Sequence, residues 1–390
     1  MTKKHVVSSL RRGAALAAVL GAALPAAALH GQDPPTAFVH GYNAEPAGWQ
    51  PTADNLRSQF VIAPVIPDLL WKRRFADQRA TLEGALAGRP IMPAAGHSNG
   101  GLITRSYIQE SGNNRVDRIM AVNSAHGGAP LATNIVNGRV KNWVVGLTDA
   151  VVAPLTQLIP NPVFSRSVRV VVDLAVVVWT RTSDVLNAPV LHDMSTGSAF
   201  IQGLEANRWR EQSRAYSRVG IGTSVSPAGV FCHGLIAGSG WVTCRKTLRT
   251  VQTIYLGAGV LFRWTGRPGL GNSFLAGATR LKRVDSDWLR FVGAGGTFNG
   301  YSGAPDASDG ILPLGTQQYP GATRQTNLTF PQYNVSHQEA NDPIQPMLST
   351  FREVFANNFG LPQRGSAGGG GEPLPPRESC GLMRVCMEPY

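Results

Sequence analysis

Short apolar runs alternate along the chain with stretches whose apolar residues recur at helical spacing. Ala37 to Val39, Val61 to Ile66, Ile91 to Ala95 and Ile119 to Asn123 are apolar without alternation, as strands buried on both faces are. Between them, Trp49 to Phe60, Phe75 to Leu86 and Leu102 to Glu110 carry the helical period. This rhythm predicts a parallel sheet covered by helices on both faces. Further along, Ser217 to Gly222 and Gln325 to Phe330 read as strands, and Ser198 to Gln212, Leu248 to Trp264 and Met347 to Phe359 as helices.

The rhythm breaks between residues 132 and 189, which are rich in valine, tryptophan and leucine with few charges, and this stretch reads as an insertion. Within it Val168, Val171, Val172, Ala175, Val178 and Trp179 share one helical face, with Arg169 and Asp173 paired opposite. The segment suits a lid over a site, an ordinary core helix, or a pair of strands, given its β-branched content. Arg245 to Gly300 shows one helical stretch among glycine-rich connections.

Composition sharpens the picture. With 390 residues, 43% of them hydrophobic and 15% charged, disorder cannot be the dominant state. Lys3, Lys4, Arg11 and Arg12 precede an apolar run from Ala14 to Leu24 and small residues at Ala26 and Ala28, the pattern of a secretory signal peptide over 1–28. The expected location is therefore secreted or periplasmic. A catalytic domain over 29–360 and a tail over 361–390 follow, the tail holding a stretch from Gly365 to Gly371 that is nearly all glycine, and prolines from Pro373 to Pro376. The formal net charge is +12, and the leader takes four of those charges with it. The remaining excess fits peripheral contact with an anionic membrane or polymer surface, and no nucleic-acid motif accompanies it.

In an oxidising compartment thiols pair and persist. Nearness in sequence favours Cys232 with Cys244 and Cys380 with Cys386, among three possible connectivities. No cysteine spacing matches a zinc site, and no cofactor is expected.

Gly96-His97-Ser98-Asn99-Gly100 is the one G-x-S-x-G match in the chain. It lies between a strand and a helix, the strand–turn–helix context that a nucleophile elbow needs, and the glycines clear the tight turn that lifts the serine hydroxyl above the sheet. Upstream, His40-Gly41-Tyr42 ends the first strand, so the backbone N–H of Tyr42 can join that of Asn99 in an oxyanion hole. A serine nucleophile needs a base and an acid in the order Ser, acid, His. Of the eight histidines, His5 and His30 fall in or beside the leader, and His40 and His97 precede any acid in that order. His126, His192 and His233 do not follow a suitable strand, which leaves His337 after the last strand. Asp309 in Ser308-Asp309-Gly310 suits the acid best, with Asp306 as competitor. Asp285, Asp287 and Asp193 trail, Asp193 because it suits the start of the helix from Ser198.

His40-Gly41-Tyr42, GHSNGG over 96–101, NSAHGGAPLA over 123–132 and SDGILP over 308–313 together resemble the α/β-hydrolase lipases, most closely secreted bacterial triacylglycerol lipases and their inositol-deacylase-like relatives. The resemblance implies an α/β-hydrolase fold, mostly parallel, with a helical cap or lid. It carries over Ser98, Asp309 and His337 as a triad, and the amides of Tyr42 and Asn99 as the oxyanion hole. The family's usual Thr-Pro-His-x-Gly is met by His126 and Gly127 but not by Ala125. Some members hold a structural calcium with an Asp two residues past the histidine. Glu339 stands there and the other ligands are missing, so calcium has weak support. The expectation is a secreted serine ester hydrolase for lipid-like esters. The same triad would serve an acyltransferase or a polyester depolymerase, and a non-catalytic surface-binding protein on this fold is the other class.

Overall fold

The computed structural model describes residues 33–42, 44–157, 187–235, 240–293, 297–298, 301–302 and 307–365. Strands β1 (Pro35–Val39), β2 (Ala63–Val65), β3 (Met92–His97), β4 (Val116–Val122) and β5 (Ser217–Thr223) are followed by a short hairpin, β6 (Thr297–Phe298) with β7 (Tyr301–Ser302), and by β8 (Arg324–Leu328). Six of them form one sheet in the order β2-β1-β3-β4-β5-β8, and every neighbouring pair is parallel. The pleat divides the side chains between two cores. Ala37, Val39, Ala94, Ile119 and Ala121 face one way, while Phe38, Ala95, Met120, Val122, Val219 and Ile221 face the other.

Helices cover both faces. The first core is closed by α2 (Phe75–Leu86) and α3 (Asn99–Glu110), the second by α1 (Gln50–Gln59) and α13 (Met347–Glu353) with the π turn after it. This is the α/β-hydrolase arrangement. The chain leaves β1 toward β2 on one side and returns to β3 on the other, so the strand order reverses between β1 and β3, where open parallel sheets bind ligands. Val39 pairs with Gly96, and His97 with Val122. The residues after β1, β3 and β4 therefore emerge together at one edge.

Between β4 and β5 lie α4 (Pro130–Val136), α5 (Arg139–Thr156), α6 (Val190–Met194), α7 (Ala199–Ala206) and α8 (Arg208–Arg214). The apolar stripe from Val168 to Trp179 is outside the described residues. Ser198 to Gln212 is not one helix, because Asn207 leaves the helix with its side-chain amide bonded to the carbonyl of Gly203 at 3.1 Å. Asp193 also differs from expectation. Its carboxylate accepts from Arg74 at 2.7 Å and from the Phe75 amide at 2.9 Å, so it caps α2. Ser198 caps its own helix by accepting from the Ile201 amide at 3.2 Å.

After β5 come α9 (Val230–Leu235), α10 (Gly240–Trp264), α11 (Pro268–Lys282) and α12 (Val284–Val292), so the region from 245 onward is far more helical than its glycines imply. Val151 and Leu155 of α5 pack with Val251, Tyr255, Phe274 and Leu281, so the cap joins α5 to α10 and α11. The Cys232–Cys244 disulfide ties α9 to α10. Cys380, Cys386, the leader and most of the tail are outside the described residues. Leu361 is buried and Arg364 bonds the carbonyl of Gln59 through its amide at 2.7 Å, so residues 361–364 still belong to the packed body.

Candidate active site

Ser98 sits at the tip between β3 and α3 with φ 55° and ψ −127°, a left-handed backbone that non-glycine residues rarely adopt. Two close approaches keep it there. A Cβ on Gly100 would lie 2.3 Å from the carbonyl oxygen of Val39, and one on Gly41 would lie 2.7 Å from the Cβ of Ser98. The loop after β1 is thus pressed against the serine. Asn99 opens α3, so its N–H is among those a helix start leaves without an internal partner, and the positive end of the helix dipole lies beside Ser98.

Two loops meet the serine. His337 Nε2 is 2.9 Å from Ser98 Oγ, and His337 Nδ1 is 2.7 Å from Asp309 Oδ2. A carboxylate only accepts, so Nδ1 carries the proton and Nε2 is free to accept from the serine hydroxyl. Asp309 is fully buried, and its other oxygen accepts from the amides of Ile311 and Leu312 at 2.9 and 2.7 Å. The His337 amide bonds the Asp309 carbonyl at 2.9 Å. The acid is thereby fixed by its own turn and by the loop it serves. Asp306, the competing acid, lies outside the described residues, and Asp285 is used elsewhere, accepting from the amides of Gly229 and Phe231.

Further residues brace this chain of hydrogen bonds. The Ser336 amide and hydroxyl both bond Glu339, at 3.1 and 2.6 Å, forming a capping box around His337. The Ser-x-x-Glu pattern over 336–339 is a readable signal for that turn. Glu339 is engaged with the backbone here. His97, the variable residue of the serine motif, places Nε2 2.8 Å from the carbonyl of His337. A carbonyl accepts, so His97 donates. Burial and the neighbouring His337 ring hold its pKa well below the ordinary histidine value, which keeps it neutral.

His40 accepts from the Leu69 amide at 3.1 Å, and its other nitrogen bonds the carbonyl of Gly41 at 3.1 Å, steadying the loop that carries Tyr42. Burial lowers its pKa too. Tyr42 packs edge-on against Trp71 with ring centres 4.9 Å apart. His126 makes its contacts elsewhere, its Nδ1 meeting Arg105 at 3.2 Å and its ring stacking on Tyr319. Its contacts are those of a structural residue.

The arrangement can accept a proton from Ser98 at His337, stabilise the resulting imidazolium with Asp309, and offer amide donors to a negative oxygen on the elbow side.

No protein-family profile matches the chain, and no curated protein matches its sequence. Among solved structures it is similar to a lipase from Bacillus licheniformis in mature form, with 15% identity over 83% of this chain and 91% of that one, at a TM-score of 0.42. A gene product of Listeria innocua is 11% identical over 84% of this chain and 95% of its own, with a TM-score of 0.38. An inhibitor-bound epoxide hydrolase from Bacillus megaterium is 15% identical over 46% of this chain and 66% of its own, with a TM-score of 0.22.

Proposed function

We propose that this chain is a secreted serine hydrolase of carboxylic esters with lipid-like substrates. Ser98 Oγ attacks the ester carbonyl while His337 takes its proton, and the amides of Tyr42 and Asn99 receive the developing oxyanion. His337 then protonates the leaving alcohol. Water, deprotonated by the same imidazole, cleaves the acyl-enzyme and restores the serine. Asp309 holds the imidazole in the tautomer that each step needs.

The observation that carries this reading is the unbroken line from Ser98 Oγ through His337 to Asp309, at 2.9 and 2.7 Å, beginning at a serine in a left-handed elbow. The lipid-like substrate rests on the family resemblance of the motifs around Ser98, Asp309 and His337. The disulfide between Cys232 and Cys244 favours an oxidising compartment.

Hydrolysis of p-nitrophenyl esters from acetyl to palmitoyl by the purified protein and by Ser98→Ala tests both parts. The expected result is a preference beyond acetyl, and a loss of kcat of about 10³-fold or more in the variant. Wild-type turnover by Ser98→Ala would remove the serine mechanism. An optimum at acetyl would remove the lipid-like substrate and leave an ordinary esterase.

A further inference from the structure

We propose that the hairpin of α10 and α11 is a docking surface for an anionic lipid membrane. Between Gly240 and Val284 the chain carries eight arginines or lysines and no aspartate or glutamate. Among the described residues none of the eight makes an ion pair. Much of the positive excess of the chain is therefore gathered on this helical pair and the residue that follows it.

The same element leaves apolar surface in water. One side of α10 is spent on the protein, with Cys244, Val251, Tyr255 and Ala258 buried. The opposite side ends in Leu256, Val260, Leu261 and Trp264, which are 44%, 54%, 56% and 90% exposed. At 3.6 residues per turn, Leu256, Val260 and Trp264 follow one another along a single line, and Lys246 and Arg249 lie on that side nearer the helix start. Arg263 and Arg267 flank Trp264 and are exposed at the tip.

An indole at the end of an apolar line, with arginine stems beside it, suits the boundary between headgroups and acyl chains, where ring and stems are buried and the charges reach phosphate. Other occupants fit less well. A second copy of the chain would set two like-charged hairpins against each other. A soluble polyanion would neutralise the charges but leave Leu256, Val260 and Trp264 in water. The proposal does not depend on ester hydrolysis, and the binding assay below can fail or succeed whatever becomes of Ser98.

The test is co-sedimentation with vesicles of phosphatidylcholine alone and of equimolar phosphatidylcholine and phosphatidylglycerol. It uses the chain from residue 29 onward, without the basic, apolar leader that would itself bind such vesicles, carrying Ser98→Ala, which keeps the lipid intact under the mechanism proposed above. The expected result is binding to the anionic vesicles roughly tenfold or more tighter than to the neutral ones, weakening as salt is raised. The double variant Arg263→Gln, Arg267→Gln should lose roughly ten- to thirtyfold of that affinity. Trp264→Ala should lose roughly fivefold or more, with thermal unfolding of both variants unchanged because these side chains are exposed. The proposal is overturned by no binding, by equal binding to both vesicles, or by variants that bind as the parent does. It is also overturned if the chain dimerises through this face in a Trp264-dependent way without binding vesicles, or binds dextran sulfate as tightly as vesicles with Trp264→Ala having no effect.

Discussion

Five histidines are buried among the described residues, and their surroundings give each a different task. His337 is the only one bonded to both a hydroxyl and a carboxylate. Substituting its acid tests that assignment. In Asp309→Asn the amide oxygen still accepts from Ile311 and Leu312, but an NH₂ now faces His337 Nδ1 and moves the imidazole proton to Nε2. Ser98 then has no base, and kcat is expected to fall by about 10⁴-fold with KM nearly unchanged, measured on a p-nitrophenyl ester. His233 is of another kind. Its ring stacks on Trp241 at 4.0 Å with neither nitrogen bonded, and burial, aided by Arg245, brings its pKa down to about 4 from 6.5. Between pH 6.5 and about 4 the unfolded chain takes up a proton there that the native chain refuses, so this residue costs stability as the solution is acidified through that window. His233→Phe keeps the stacking and removes the titration. Denaturant unfolding of the two proteins should diverge in favour of phenylalanine from pH 6.5 down to 4, and a gap that stays constant with pH would contradict this assignment.

At the scale of elements, α3 is anchored from behind by a buried charge network. Arg105, fully buried on α3, bonds Glu211 through Nε at 3.0 Å and Glu205 at 3.2 Å, and Gln109 reaches Glu211 at 2.6 Å. Tyr319 also donates to Glu211. Burial opposes the guanidinium charge, and Glu211 and Glu205 more than offset it, raising the Arg105 pKa above its ordinary value. The network fastens the helix that begins at the elbow to α7 and α8. Glu211→Gln leaves the buried guanidinium undercompensated, and denaturant unfolding should show a loss of about 3–5 kcal/mol. Little of this could be read in advance. Arg105, Glu205 and Glu211 look like ordinary surface charges on amphipathic helices, and only the fold buries them together. The strands around the elbow were legible because burial on both faces leaves unbroken apolar runs such as Met92 to Ala95 and Ile119 to Val122. Of the cap helices, α10 was legible from Leu248 to Trp264, short of its start at Gly240, whereas α11 was not, because Gly271 and Gly277 read as loop residues when they mark close helix packing: a Cβ on either would lie 2.7 Å from the carbonyl oxygen of Gly259 or Ala150.

For the molecule as a whole, the sheet brings together residues distant in the chain. That Ser98, Asp309 and His337 would meet was legible in their order and local pattern, since the elbow motif, a strand-end turn and the last late histidine each have a signature. The supports of that trio had weaker signatures: His97 is the variable letter of its motif, and the role of His40 depends on Leu69 lying across the loop. The cap is assembled from α5 on one side of β5 and α10 with α11 on the other, while the middle of the 132–189 stretch lies outside the described residues. What unites elbow and cap is the claim that Ser98 is an activated nucleophile. Incubating the purified protein with a fluorophosphonate and locating the adduct by peptide mass spectrometry tests it most directly. The account predicts one adduct per chain, on Ser98, lost in Ser98→Ala and formed far more slowly in His337→Ala. An unlabelled chain, or an adduct on another residue, would contradict it.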